Sequence, residues 1–147
     1  AYMPGIWNTE ITDFSVTVIL SFIVYIYTNL GVRAMIDESG NLIKGKLGKD
    51  LNTDQGYAAA IRCALSIVSQ AKKQLNNDLS KIKSCIKLTG FVNSTEDFIE
   101  QPKVINGASD TIVKIFGDIG MHTRAAVSSN SLPLGVAVEV DAIFELN

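Results

Sequence analysis

From residue 136 to residue 146 an apolar side chain occupies every second position: Val136, Val138, Val140, Ala142, Phe144 and Leu146. A period of two fits only an extended strand, because successive side chains of a strand point to opposite faces. Glu139, Asp141 and Glu145 fall on the other face, with Ala137 and Ile143. The segment is therefore committed to a strand with one face against a core. A turn around Leu132-Pro133 precedes it, and residues 123–128 read as the strand before that turn.

The rest of the core is written in two periods. Residues 82–92 alternate, with Ile82, Ile86, Leu88 and Val92 on one side and Lys83, Lys87 and Thr89 on the other, which predicts a half-buried strand. Ile61, Ala64, Leu65, Val68, Ala71 and Leu75 recur at helical spacing. Asn52 or Thr53 would cap that helix, with Gln55 completing a capping box if Asn52 is the cap, and Asn76-Asn77-Asp78 would stop it. A second helix is expected from Pro102, with Ile105, Ala108, Ile112, Ile115 and Phe116 as its stripe and Gly117 or Gly120 at its end. Strands, helix, strand, helix and two strands predict an α+β domain, a mixed β-sheet with two helices packed on one face. No internal repeat or linker divides the chain, so residues 1–147 are expected to form one domain.

Residues 14–28 (FSVTVILSFIVYIYT) are apolar or β-branched almost throughout. A membrane-spanning helix needs about 20 apolar residues. Here Ser15, Thr17, Ser21, Thr28 and Asn29 interrupt the run, and its Val, Ile, Thr and Tyr content favours strand. The strand reading is preferred, and no membrane partner is expected. So long a strand should bend, bulge or divide. Both of its faces are apolar, which asks for cover on both sides, as a partner subunit would give.

Composition points the same way. The 147 residues are 47% hydrophobic and 19% charged, with a mean hydropathy of +0.23, which favours a homo-oligomer over a monomer. The net charge is −2 and the pI about 5.3. With lysines scattered and no basic stripe, the electrostatic footprint of a nucleic-acid binder is missing. Cys63 and Cys85 have no metal spacing and read as core residues, and a single histidine, His122, makes neither a His-rich zinc site nor a two-histidine ribonuclease site. GNLIKGK (40–46) nearly spells a phosphate-binding loop, but Leu47 stands where a hydroxyl must hold magnesium and Gly48 blocks the helix start. Asn93-Ser94-Thr95 matches a glycosylation sequon. No secretory signal accompanies it, so it reads as a chance match in a cytoplasmic or organellar protein.

Four positions can carry chemistry. Arg124 at a strand start can grip a carboxylate through two parallel hydrogen bonds, or pair with a surface acid. Glu139, between valines, is either a solvent-facing strand residue or a half-buried general acid–base with a raised pKa. Because the two flank one turn, pairing of their strands would bring them together, but alternation alone does not fix that register. Asn106-Gly107, read as opening the second helix, offers either local capping or free backbone N–H groups for an anion or a substrate carboxylate. His122 is either a titrating neighbour of Arg124 or an incidental loop residue.

Residues 45–146 resemble the Rid family (YjgF, reactive-intermediate deaminases, often labelled endoribonuclease L-PSP). The resemblance lies in Arg124-Ala125-Ala126-Val127, Leu132-Pro133-Leu134-Gly135 and Val138-Glu139-Val140-Asp141-Ala142-Ile143, and in GFVNSTEDFIEQPKVINGASD (90–110), which is similar to a less characterised branch. It implies a chorismate-mutase-like fold and a homotrimer with clefts between subunits. It also implies cofactor-independent, metal-free hydrolysis of enamines or imines such as 2-aminoacrylate to 2-keto acids and ammonia. Arg124 would clamp the substrate carboxylate and Glu139 would position or activate water, with Tyr2, Gly31 and Asn106 lining the cleft. Residues 9–25 do not share the resemblance and read as an insertion within an atypical apolar segment at about 9–28. That segment is either an elaboration at the cleft or trimer core, or a product of how the coding sequence was defined.

Overall fold

A computed structural model of the chain describes residues 17–20 and 39–147. The sequence positions Tyr2 and Gly31, and most of the apolar run 14–28, lie outside the described residues. Within the run, Thr17–Leu20 form strand β1. Helix α1 (Thr53–Gln74), strand β2 (Ile82–Asn93), helix α2 (Gln101–Phe116) and strands β3 (Thr123–Ser129) and β4 (Val138–Leu146) follow. The sheet order is β1-β4-β2-β3. β2 pairs in parallel with β3 and antiparallel with β4, and β4 pairs antiparallel with β1. The sheet is thus mixed, as the order of elements predicted.

Each helix is delimited by the residues that marked it in the sequence. Asn52 caps α1 in a capping box: its side chain accepts from the Gln55 N–H, and the Gln55 side chain accepts from the Asn52 N–H, both at 2.9 Å. Asn76 and Asn77 then enter the left-handed region (φ 56° and 65°), which an asparagine tolerates better than most residues, and helical bonding stops. Pro102 occupies the first turn of α2, where its missing N–H costs nothing, and Gly117 closes the helix at φ 62°. The helices meet through small residues. A Cβ on Gly107 would lie 2.2 Å from the Tyr57 carbonyl oxygen, so only glycine allows this approach.

The core lies between the helices and one face of the sheet. It comprises Ala60, Cys63, Ala64 and Ile67 of α1, Val104, Ile105, Ala108 and Ile112 of α2, and Leu88, Val92, Val140 and Phe144 of the sheet. Gly90 marks the helix-facing side of β2, since a Cβ there would fall 2.4 Å from Ile105 Cδ1. Phe116 closes the far end against Phe144, with ring centroids 5.8 Å apart and tilted by 57°.

Three packing expectations are corrected. Leu65 of α1 is 47% exposed, because the buried arc of that helix runs through Ala60, Cys63, Ala64, Ile67 and Ala71, and Ile115 of α2 is 40% exposed, outside the buried set of Val104, Ile105, Gly107, Ala108 and Ile112. Ile86 is 42% exposed and Cys85 takes its place in the core. The β2–β4 register shifts between Ile82 and Ser84 and again between Cys85 and Lys87. Each irregularity reverses which face a side chain meets, so the simple alternation fails there. β4 begins at Val138, two residues later than the pattern implied. Val136 and Ala137 are buried all the same, and instead meet the segment before α1: Lys44 bridges Val136, and the Ala137 N–H donates to the Ile43 carbonyl at 3.1 Å.

Candidate active site

Arg124 is the second residue of β3 and pairs with Leu88 of β2. Leu88 is fully buried, so its register partner points to the same, helix-bearing face. β3 lies at the end of the sheet order, and from there the guanidinium reaches α2. Its Nη1 donates to Asn106 Oδ1 at 2.7 Å and to Ser109 Oγ at 3.1 Å. Asn106 and Ser109 are three residues apart, neighbours on one helix face. Ser109 also meets His122, whose Nε2 lies 3.0 Å from the hydroxyl. The His122 Nδ1 is 2.6 Å from the Gly120 carbonyl, which can only accept, so Nδ1 carries the proton.

Arg124, Asn106 and His122 are thus brought together. The anion-binding alternative for Asn106-Gly107 is corrected: α2 begins at Gln101, so the Asn106 N–H is inside the helical ladder, and it is the side chain that meets Arg124. Ser109 was missed by sequence reasoning. The available signal was its i+3 spacing from Asn106.

Glu139 is not in this cluster. It pairs with Phe91 between Val138 and Val140, on the face of the sheet turned away from the helices. β3 does not pair with β4, since β2 stands between them. Two strand spacings and three residues of offset place the Arg124 and Glu139 Cα atoms roughly 14 Å apart, on opposite faces. Glu139 is only 3% exposed, which removes the solvent-facing reading. Burial raises its carboxyl above the ordinary pKa of 4.5, favouring the protonated form. Burial likewise pushes the Cys63 thiol up to about 12, with the Glu139 charge as a second cause, so this cysteine is no nucleophile. Cys63 and Cys85 are both free.

The remaining motifs have structural roles. Lys46, of the phosphate-loop-like run, reaches the carbonyls of Ser94 and Asn130, and its N–H donates to Asp50 Oδ2 at 2.9 Å. Asn93, of the sequon, is 4% exposed and its Nδ2 donates to the Val136 carbonyl at 3.1 Å, which closes it to an oligosaccharide. Among the described residues no group of three or more His, Cys, Asp or Glu could hold a metal, and no helix is long and apolar enough to cross a membrane.

This arrangement has relatives. Over 112 residues the chain is 48% identical to TCP17 of Trypanosoma cruzi, covering 76% of this chain and 69% of that protein. The crystal structure of Atu1372 from Agrobacterium tumefaciens superposes with a TM-score of 0.73 at 47% identity, over 76% of this chain and 71% of that one. A Shewanella oneidensis protein described as a "putative endoribonuclease" gives 0.70 at 36% identity, over 73% and 71%. The family described as "YjgF/chorismate mutase-like, putative endoribonuclease" matches residues 26–146, which contain the whole Arg124 cluster and Glu139. By that match and by these identities, the chain belongs to the YjgF/chorismate mutase-like, or Rid-like, family.

Proposed function

We propose that the chain is a cofactor-independent deaminase, hydrolysing enamine or imine intermediates of the 2-aminoacrylate type to 2-keto acids and ammonia, and that it works as a homotrimer. The observation that carries this reading is the Arg124 guanidinium, with Nη1 tied to Asn106 and Ser109 and its other nitrogens without a partner among the described residues. The clamp holds the substrate by its carboxylate and orients the adjacent imine carbon. The Glu139 of a neighbouring copy supplies the proton traffic in this reading: its carboxyl donates a proton to the imine nitrogen as water oxygen bonds to the carbon, and the carboxylate takes a proton from that water. The same carboxyl then returns that proton to the amino nitrogen of the carbinolamine, the C–N bond breaks, ammonia leaves, and the carboxylate takes the hydroxyl proton as the ketone forms. Tyr2 and Gly31 belong to the same proposed cleft.

The test is a coupled assay in which a serine or threonine dehydratase generates the enamine. Wild-type protein should accelerate keto-acid release, and Arg124→Ala should remove the acceleration. Equal rates with and without protein, or an unimpaired Arg124→Ala variant, would rule the activity out.

A second reading is a trimer that binds small carboxylates or a partner protein without turnover. It is favoured by the completeness of the Arg124 cluster within one chain while Glu139 lies elsewhere. A 2-keto acid bound at Arg124 with no enamine hydrolysis would select it. Ribonuclease activity, which the family description names, has less support, because a net charge of −2 attracts no phosphate backbone.

A further inference from the structure

Arg124 is held by a chain of hydrogen bonds whose direction is set at its far end. The Gly120 carbonyl can only accept, so the neutral His122 ring keeps its proton on Nδ1 and leaves Nε2 as an acceptor. Ser109 lies 3.0 Å from Nε2, and its single hydroxyl proton goes there. The Ser109 oxygen is left with its lone pairs facing outward, and the Arg124 Nη1 donates to one of them at 3.1 Å. The second hydrogen of Nη1 goes to Asn106 Oδ1 at 2.7 Å. Both hydrogens of this nitrogen are therefore used by the protein.

A guanidinium can present two nitrogens to a carboxylate along its end, Nη1 with Nη2, or along its side, Nε with Nη2. With Nη1 spent, the end-on edge is lost and the side edge remains. Without the His122 acceptor, the Ser109 hydroxyl would be free to turn its proton toward Arg124 or to the helix carbonyl one turn back. Turned toward Arg124, that proton would take away one of the two anchors of the guanidinium, which could then rotate.

We propose that His122 and Ser109 are positioning residues that lock the Arg124 guanidinium, so that a substrate carboxylate is received in the plane of its Nε–Nη2 edge. The proposal rests on Arg124 being the carboxylate clamp, as in the deaminase reading, and it adds two residues that act without touching substrate. Ser109→Ala deletes the middle of the relay and His122→Leu deletes its end. His122→Gln keeps an acceptor at the position of Nε2.

Three measurements on the whole chain of 147 residues test it. Ser109→Ala and His122→Leu should each raise KM for the enamine, and weaken binding of 2-oxobutyrate by calorimetry, about tenfold, with kcat changed by less than about threefold. His122→Gln should stay within about threefold of wild type, and the double variant should be no worse than either single variant, because both break one relay. Without any ligand, nitrogen-15 NMR should find the His122 proton on Nδ1, and the Arg124 guanidinium signals should broaden or average in Ser109→Ala. Wild type that binds 2-oxobutyrate but hydrolyses no enamine would fail the deaminase reading alone, and the relay would then be judged on binding. Wild type that binds no keto acid would leave the judgement to the ligand-free spectra. Additive losses in the double variant, a proton on Nε2, or an Arg124 equally ordered in Ser109→Ala would overturn the relay.

Discussion

The Glu139 carboxyl sits mid-strand at 3% exposure, and burial raises its pKa above 4.5. A group that holds its proton more tightly in the folded state stabilises that state most below the unfolded pKa. The contribution is lost as pH rises through the folded pKa. Glutamine cannot ionise, so Glu139→Gln should leave the melting temperature nearly unchanged at about pH 4 and raise it at about pH 8, relative to wild type. A constant offset across that range in thermal denaturation would show that ionisation of Glu139 is not what burial opposes. At this scale the sequence was half legible. Arg124 and Asn106 stood out by residue type and resemblance, and they do meet. The burial of Glu139 could not be read, because alternation tells which face a residue takes but not whether that face is covered. Ser109 offered only its i+3 spacing from Asn106, too weak a signal by itself, since a serine on a helix has many uses and only the register of β3 against β2 brings Arg124 and His122 to it.

The helices behaved as their end signals said they would. Both helices begin and end where caps, proline and positive-φ residues put them, because those signals act within a few residues and need no tertiary context. Replacing Asn52 by alanine removes a cap that takes part in two hydrogen bonds and should cost about 1 kcal/mol in urea denaturation, with an unchanged m-value. No measurable loss would mean that the box forms without stabilising α1. A larger loss is expected where the helices touch. Gly107→Ala directs a methyl group at the Tyr57 carbonyl from 2.2 Å, and backbone cannot swing aside as a side chain can. The variant should lose about 3 kcal/mol and part α2 from α1, the element that presents Asn106 to Arg124. A stability loss below about 0.5 kcal/mol would show the helices to be less tightly apposed than this contact implies. β2 is the element that defeated pattern reading. Its two register shifts are local backbone events with no residue-type mark, and they exchange Ile86 for Cys85 in the core.

Across the molecule, chain order misleads about proximity. β3 and β4 are joined by one short turn, yet α2 carries the chain from β2 across to a parallel β3, and β4 returns on the other side of β2. A turn-flanking pair such as Arg124 and Glu139 thereby ends on opposite faces, roughly 14 Å apart. No side chain of either type spans that gap through a sheet, so the two can serve one substrate only if different copies contribute them. A site shared between copies therefore makes a prediction that a within-chain site cannot imitate. Arg124→Ala and Glu139→Ala should each abolish enamine hydrolysis, and co-expressing the two variants should restore it. With random assembly, about one quarter of the sites in a ring of copies would receive an intact arginine from one chain and an intact glutamate from its neighbour. Recovery near that fraction of wild-type activity in the mixed oligomer would place the site between subunits. A mixture as inactive as its parents, with subunit exchange verified by mass spectrometry, would confine each residue to its own chain and remove Glu139 from the chemistry at Arg124.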